Sequence, residues 1–195
     1  MKKNKEEKYI WDLNIEPKLE LLDEEMKNYI NVCKEKLGMV PNVILANASD
    51  KDRLKNFVNF YNRLMLKEGH LSKLEREMIA VVVSSCNKCF YCLIAHGAAV
   101  RQLSKNQYLG DELMINYRSA SLNIRHKLML DFSFKLTENP SKVDNSDRNI
   151  LREAGFSEEE ILEIVEVASF FNMSNRIAAG TDMRPNAEYH NMGRE

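Results

Sequence analysis

Residues 72–100 have the sequence SKLEREMIAVVVSSCNKCFYCLIAHGAAV, the most strongly patterned helical segment of the chain. Ser72 and Glu75 have the spacing of a capping box, in which each side chain accepts a hydrogen bond from the other residue's backbone amide. The helix that begins there and runs through Val81 is apolar on nearly every side, which is typical of a helix at the centre of a core. We expect it to end around Ser84 to Cys86, before a second buried helix for which Asn87 is the candidate cap. The segment therefore predicts two consecutive buried helices.

The sequence on both sides of this segment is also helical in pattern. Apolar residues recur every three or four positions, and 195 residues include only 7 glycines and 4 prolines. Six further helical segments are predicted. Three precede the central segment: one through Leu21, Met26, Ile30, Cys33 and Leu37 that Gly38 ends, a short one after Pro41, and one from about Asp50 to Gly69. Three follow it: one near 106–117, one near 122–136 that Pro140 closes, and one from the Ser157–Glu160 capping box to Gly180. We therefore expect an all-α fold.

A single domain is expected over residues 1–195, because no linker, repeat or low-complexity stretch divides the chain. Residues 1 to about 16 have the character of an N-terminal arm. Residues from about 181 to 195 are expected to form an ordered but irregular C-terminal tail.

The composition excludes several classes of function. Lysine plus arginine number 28 and aspartate plus glutamate 29, a formal net charge of -1, so no overall field would attract nucleic acid or an anionic membrane. The first residues, MKKNKEEKYIW, lack the apolar stretch of a signal peptide. No later run approaches the roughly 18 apolar residues of a membrane span. We expect a soluble, cytoplasmic protein that binds neither nucleic acid nor membrane.

Three of the four cysteines, Cys86, Cys89 and Cys92, fall within seven residues. In a reducing cytoplasm such a cluster indicates catalysis or metal binding rather than structural disulfides. If Asn87 caps the second helix, Cys89, Cys92 and His96 share one helical face. Positions three apart on a helix have Cα atoms roughly 5–5.5 Å apart, a separation that a disulfide tolerates. Cys89 and Cys92 can therefore cycle between dithiol and disulfide.

Glu77, on the preceding core helix, completes this group of residues. A carboxylate in a core helix is costly unless it is paired, and one aimed at His96 would orient the imidazole and raise its basicity. A helix N-terminus, a second cysteine and a histidine all favour a thiolate. The helix end favours Cys89 as the thiol of lower pKa, whereas His96 favours Cys92, and local sequence leaves this choice open.

Other roles for the cysteines have to be considered. Buried cysteines often behave as small hydrophobic residues, which is the role expected of Cys33. Cys86, Cys89, Cys92 and His96 are also four plausible zinc ligands. One helix would present them in a narrow arc, however, whereas a closed tetrahedral site usually takes its ligands from at least two elements. We therefore expect no metal here.

The spacing of these residues resembles a family signature. A glutamate at 77, C-x-x-C twelve residues later and a histidine four residues after the second cysteine form the pattern of the AhpD-like alkylhydroperoxidase family, within the carboxymuconolactone decarboxylase superfamily. The segments MVPNVILANASDKDRLKNFVNFYNRLM and NRIAAGTDMRPNAEYHNMGR resemble its peroxidase-related branch, so the likeness covers roughly Leu37 to Arg194. Tyr91 stands where some members have a histidine. The resemblance implies a compact orthogonal helical bundle of the AhpD-like type.

The resemblance also implies a function. Cys92 would be the peroxide-attacking cysteine, Cys89 the resolving cysteine, His96 the proton relay and Glu77 the base behind it. Such a thiol-dependent peroxidase would reduce organic hydroperoxides without a metal, haem or flavin. Its disulfide would be reduced by an external dithiol on a lipoyl-bearing or thioredoxin-like protein, and the chain would form homo-oligomers, commonly trimers or hexamers.

Two further functions are compatible with the same residues. A protein disulfide oxidoreductase or redox sensor would use the cysteine pair without peroxide. A non-redox lyase or binding module on the same scaffold would be indifferent to the loss of Cys89. Four residues near the C-terminus could support a site or an oligomer interface but are expected to be solvated or to pin the tail: Asn175, Arg176, Arg184 and His190.

Overall fold

The structure, a computed structural model, describes residues 9–194, and this part of the chain contains nine α-helices. They are α1 (Glu24–Leu37), α2 (Asn42–Asn47), α3 (Lys51–Tyr61), α4 (Lys73–Cys86), α5 (Phe90–Ser104), α6 (Leu109–Asn116), α7 (Ile124–Glu138), α8 (Asn145–Glu153) and α9 (Glu158–Gly180). A π-helical turn, Asn62–Leu66, extends α3. Residues 9–194 contain no β-strand, so the prediction of an all-α fold is confirmed. None of the helices described is long and apolar enough to cross a membrane.

Helix α4 is the centre of the fold, as its apolar pattern predicts. It packs against α5, α6, α7 and α9, and every residue from Met78 to Val83 is fully buried. The capping box is present: the Ser72 hydroxyl accepts the Glu75 amide, and the Glu75 carboxylate accepts the Ser72 amide at 2.9 Å. Fully burying one aliphatic side chain contributes about 1.5–3 kcal/mol. A helix buried on all sides therefore anchors the elements around it.

The connection between α4 and α5 differs from the sequence-based prediction. The prediction that Asn87 caps the second helix is wrong, because Asn87 ends α4 and Cys89 is the N-cap residue of α5. The chain reverses at Lys88, which has a left-handed backbone with φ +53°. The Asn87 side chain instead donates hydrogen bonds to two asparagines of α9. Because the N-cap residue of α5 is Cys89 and not Asn87, Cys89 lies at the N-terminal end of the helix and not in its first turn.

Most other helix boundaries lie close to the predicted positions. Gly38 ends α1 with φ +72°, and α9 begins at the predicted capping box and ends at Gly180. Leu21 is an exception, since it lies in a 3-10 turn and its side chain is 59% exposed. Helix α1 begins only after Asp23, whose carboxylate accepts a backbone amide of the first turn.

The N-terminal arm and the C-terminal tail run side by side. The Asp12 amide donates to the Thr181 carbonyl, and the Arg184 amide donates to the Ile10 carbonyl, both at 2.9 Å. The Asn42 side chain at the start of α2 donates to the Arg184 carbonyl at 2.8 Å. These bonds hold the tail on the helical body. The predicted arm and tail also include residues 1–8 and 195, which lie outside the described part of the chain.

Candidate active site

A cavity of about 590 Å³ opens between α1, α3, α4, α5 and α9. Its wall is mainly apolar and aromatic, and includes the rings of Phe57 and Phe171. Three of the predicted site residues, Glu77, Cys92 and His96, line it. Mainly apolar cavities of a few hundred cubic ångströms with a few converging polar groups are typical sites for small organic molecules.

Glu77 and His96 form a buried pair in the wall of this cavity. Oε2 of Glu77 lies 2.6 Å from Nδ1 of His96, and the two side chains are only 8% and 12% exposed. The Phe171 ring packs edge-on against the imidazole, with ring centroids 4.5 Å apart. Because the carboxylate engages Nδ1, the other ring nitrogen, Nε2, is the atom with which His96 can exchange a proton.

Cys89 is the more acidic of the two site cysteines. Hydrogen bonding from the Cys92 side chain, the backbone amides of Cys92 and Tyr91, and the charge of His96 lower the pKa of Cys89 to about 7, against the opposing effect of burial. These amides belong to the exposed end of α5, where backbone donors have no partner within the helix. The side-chain bond with Cys92 is therefore the largest cause of the lowered pKa of Cys89, and the N-cap position adds the backbone amides to it.

Cys92 is the cysteine of the pair that lines the cavity. Its interaction with the Cys89 sulfur and its burial, at 2% exposure, raise the pKa of Cys92 well above its usual value. Hydrogen bonds from Asn175 and Ser174 partly oppose this rise in pKa. In the reduced protein the negative charge therefore resides on Cys89, while the thiol that faces the cavity keeps its proton.

Asn175 is a supporting residue that sequence reasoning placed wrongly in solvent. It is 2% exposed, its amide nitrogen donates to the Ser84 hydroxyl, and its amide oxygen accepts from Asn87, both at 3.0 Å. It thus connects α9 to the α4–α5 junction beside Cys92. The available signal was its position at helical spacing from Phe171 and Ala178, which are both buried. Arg176, in contrast, is exposed, as expected.

Tyrosine hydroxyls add polar groups to the apolar cavity wall. Burial and the nearby Glu77 carboxylate raise the pKa of Tyr61 well above its usual value. Burial is also the main cause of the raised pKa of Tyr91, whose hydroxyl accepts the Val43 amide at 3.1 Å. The tyrosines are therefore protonated at neutral pH and can serve as hydrogen-bond donors.

Cys33, expected in the core, is buried and also lines the cavity.

The four residues considered as zinc ligands are not gathered into one cluster. Within residues 9–194, no three His, Cys, Asp or Glu side chains lie close enough together to hold a metal ion. Cys86 lies near Glu138 and Arg176.

Comparison with known proteins identifies relatives along almost the whole chain. Residues 52–107 match the model of the carboxymuconolactone decarboxylase family. A peroxidase-related protein from Silicibacter sp. TM1040 is 52% identical, with a TM-score of 0.92 over 97% of this chain and 98% of that one. A protein from Ralstonia eutropha JMP134, described as a peroxidase-related protein with an alkylhydroperoxidase AhpD core, is 38% identical, with a TM-score of 0.91 over 97% and 99% of the two chains. Both are described as uncharacterized.

A more distant structure shares only the fold. The debrominase Bmp8, in a cysteine-to-alanine variant bound to 2,3,4-tribromopyrrole, is 18% identical, with a TM-score of 0.78 over 94% of this chain and 97% of that one. No curated protein sequence matches the chain.

Proposed function

Because this chain belongs to the carboxymuconolactone decarboxylase family, with AhpD-like peroxidase-related proteins as its solved relatives, we propose that it is a thiol-dependent peroxidase. It reduces organic hydroperoxides through a dithiol–disulfide cycle of Cys89 and Cys92. The observation that carries the proposal is the placement of the Cys92 thiol in the cavity wall, next to a second cysteine with a pKa of about 7.

Glu77 and His96 form the proton relay of the cycle. Glu77 accepts the Nδ1 proton of His96, which leaves Nε2 free to take one proton from the dithiol pair. The resulting monoanion has its charge on Cys89 and its remaining proton on Cys92. Transfer of that proton to Cys89 produces the thiolate of Cys92 at the cavity wall, where a hydroperoxide binds. The charge required for attack is therefore already present in the resting pair.

The chemical steps balance with these groups alone. The Cys92 thiolate attacks the distal oxygen of the hydroperoxide, the O–O bond breaks, and Cys92 becomes a sulfenic acid as the alkoxide leaves. The Cys89 thiol protonates the alkoxide to the alcohol. The Cys89 thiolate then attacks the Cys92 sulfur, a disulfide forms, and the departing hydroxide takes a proton from His96 to leave as water. Two electrons pass from the thiols to the peroxide.

The oxidised enzyme requires an external dithiol to complete the cycle. A lipoyl-bearing or thioredoxin-like protein would attack the disulfide, form a mixed disulfide and release the reduced pair. Both cysteines are no more than 2% exposed. This burial favours a slender dithiol arm over a broad protein surface. Self-association of the chain, as a trimer or hexamer, is part of the same proposal.

A protein disulfide oxidoreductase is the second candidate, because the pKa of about 7 for Cys89 suits thiol–disulfide exchange. This function would oxidise or reduce a dithiol without peroxide. The depth of both cysteines argues against it as the primary activity, since a protein disulfide would have to reach a buried pair.

Single-turnover oxidation of the reduced protein by a slight excess of cumene hydroperoxide tests the proposal. Free thiols are counted against time, and the products are mapped by mass spectrometry. Rapid loss of two thiols with a Cys89–Cys92 link is expected. Oxidation of a dithiol probe without peroxide, combined with slow or no reaction with the hydroperoxide, would transfer the assignment to the second candidate.

A further inference from the structure

We propose that the cavity binds long-chain fatty acids carrying a hydroperoxide, with the acyl chain in the apolar interior and the carboxylate at a positively charged mouth formed by Lys36 and Lys73. This inference rests on the proposed peroxidase function and specifies the substrate of the same site.

The size of the cavity indicates an extended organic substrate. A volume of about 590 Å³ lies within the range that accommodates drug-sized ligands. Hydrogen peroxide would leave nearly all of it empty. The inner wall combines aliphatic and aromatic side chains from several helices, among them Ile44, Phe57, Met65 and Phe170. Such a wall gains free energy by removing an unbranched hydrocarbon chain from water.

The charged groups of the lining are few and unevenly placed. Apart from His96, the charged side chains of the wall are Lys36, Lys73 and Glu77. Glu77 is buried and hydrogen-bonded to His96, so its charge is engaged inside the site. The two lysines are exposed, and within residues 9–194 neither forms an ion pair.

The positions of these lysines define one end of the ligand. Lys36 lies in the last turn of α1, and Lys73 is the first residue of α4. Because both residues are exposed and line the cavity, they mark places where the cavity meets solvent. A positive edge around an apolar interior attracts an anion and concentrates it at the opening. The matching ligand is a chain with one anionic end, which a fatty acid provides and its neutral ester does not.

The test compares linoleic acid hydroperoxide with its methyl ester, which carries the same peroxide on the same chain. We expect kcat/KM for the acid to exceed that for the ester by about tenfold, as two solvent-exposed ion pairs can supply. The double substitution Lys36→Met and Lys73→Met should bring the acid-to-ester ratio close to 1. Lys34→Met, which replaces an exposed lysine of α1 outside the cavity lining, should leave the ratio as it is in the unmodified protein. Raised salt should lower the ratio only where both cavity lysines are present.

A binding measurement separates this inference from the peroxidase proposal. The fluorescence of cis-parinaric acid, a fatty acid without a peroxide, reports binding in the absence of chemistry. Parinarate binding that weakens about tenfold in the double variant but not in Lys34→Met supports the fatty-acid site. This result stands even if the protein turns over no hydroperoxide. Absence of hydroperoxide turnover would end the peroxidase proposal alone. The inference would be overturned if kcat/KM were equal for acid and ester, or if the double substitution left parinarate binding unchanged. In either case, turnover of cumene hydroperoxide would leave the peroxidase proposal standing.

Discussion

The Nδ1 atom of His96 lies 2.6 Å from Oε2 of Glu77, a contact that joins the two central helices inside the cavity wall. The pair orients the imidazole so that Nε2 is the nitrogen available for proton exchange. In the proposed cycle Glu77 acts on the reaction through His96, which makes it a positioning residue.

Replacing Glu77 tests this relationship. Glu77→Gln keeps the size of the side chain but removes the charge, and should lower the single-turnover rate with cumene hydroperoxide by about 100-fold, the scale of one general acid–base contribution. Glu77→Asp keeps the charge and should recover part of the rate. Glu112→Gln, at an exposed position of α6, is the matched control and should react at the original rate. An unchanged rate in Glu77→Gln would remove Glu77 from the relay.

The acidity of Cys89 predicts a specific pH dependence. A thiol with a pKa lowered to about 7 from the usual 9.0 is protonated below pH 7 and becomes a thiolate as the pH rises through 7. Thiolate absorbance at 240 nm should therefore rise with a midpoint near pH 7. In Cys92→Ala the midpoint should move upward, because the Cys92 side chain is the largest cause of the lowered pKa. A midpoint near 9 in the unmodified protein would contradict this assignment.

The two site cysteines should fail in different ways when each is replaced. Cys92→Ser should abolish reaction with hydroperoxide, since it removes the sulfur at the cavity wall. Cys89→Ser should still permit oxidation of Cys92, but the sulfenic acid would have no partner and should be trapped by dimedone. Cys86→Ser is the control and should form the Cys89–Cys92 disulfide normally. Dimedone labelling of residue 89 in Cys92→Ser would reverse the two roles.

Asn175 should affect both stability and chemistry. Asn175→Ala leaves Ser84 without its bond to α9 and should lower the free energy of unfolding by about 1–3 kcal/mol, the cost of unpairing a buried polar group. It also removes a hydrogen bond that lowers the pKa of Cys92, so oxidation by hydroperoxide should slow. Asn172→Ala removes a different bond to Asn87 and provides the control.

Urea unfolding and single-turnover kinetics together separate the two effects of Asn175. The Asn172→Ala protein should be less stable but react at the original rate at temperatures where it is folded. If both variants lose rate in proportion to stability, Asn175 has only a structural role.

Several features of the fold could be predicted because their causes are local. The capping boxes at Ser72 and Ser157 mark two helix starts, and the apolar run of α4 identifies the central helix. A capping box depends on residues three positions apart, and a fully apolar helix has no stable place except the interior. The wrong assignment of Asn87 arose from the same local reasoning, since its side-chain partners are 85 and 88 residues away on α9.

The amino-acid sequence by itself determined an all-α fold and the likeness to the family, because helical periodicity and motif spacing are properties of neighbouring residues. The same spacing made Glu77, Cys89, Cys92 and His96 the candidate site residues. Only the tertiary structure decided that Cys89 is the acidic thiol at the end of α5 and that Cys92 lines the cavity. It also decided the burial of Asn175 and the shape of the cavity. These properties depend on packing between helices far apart in the chain, which sets the solvent, the amides and the partners that each side chain meets.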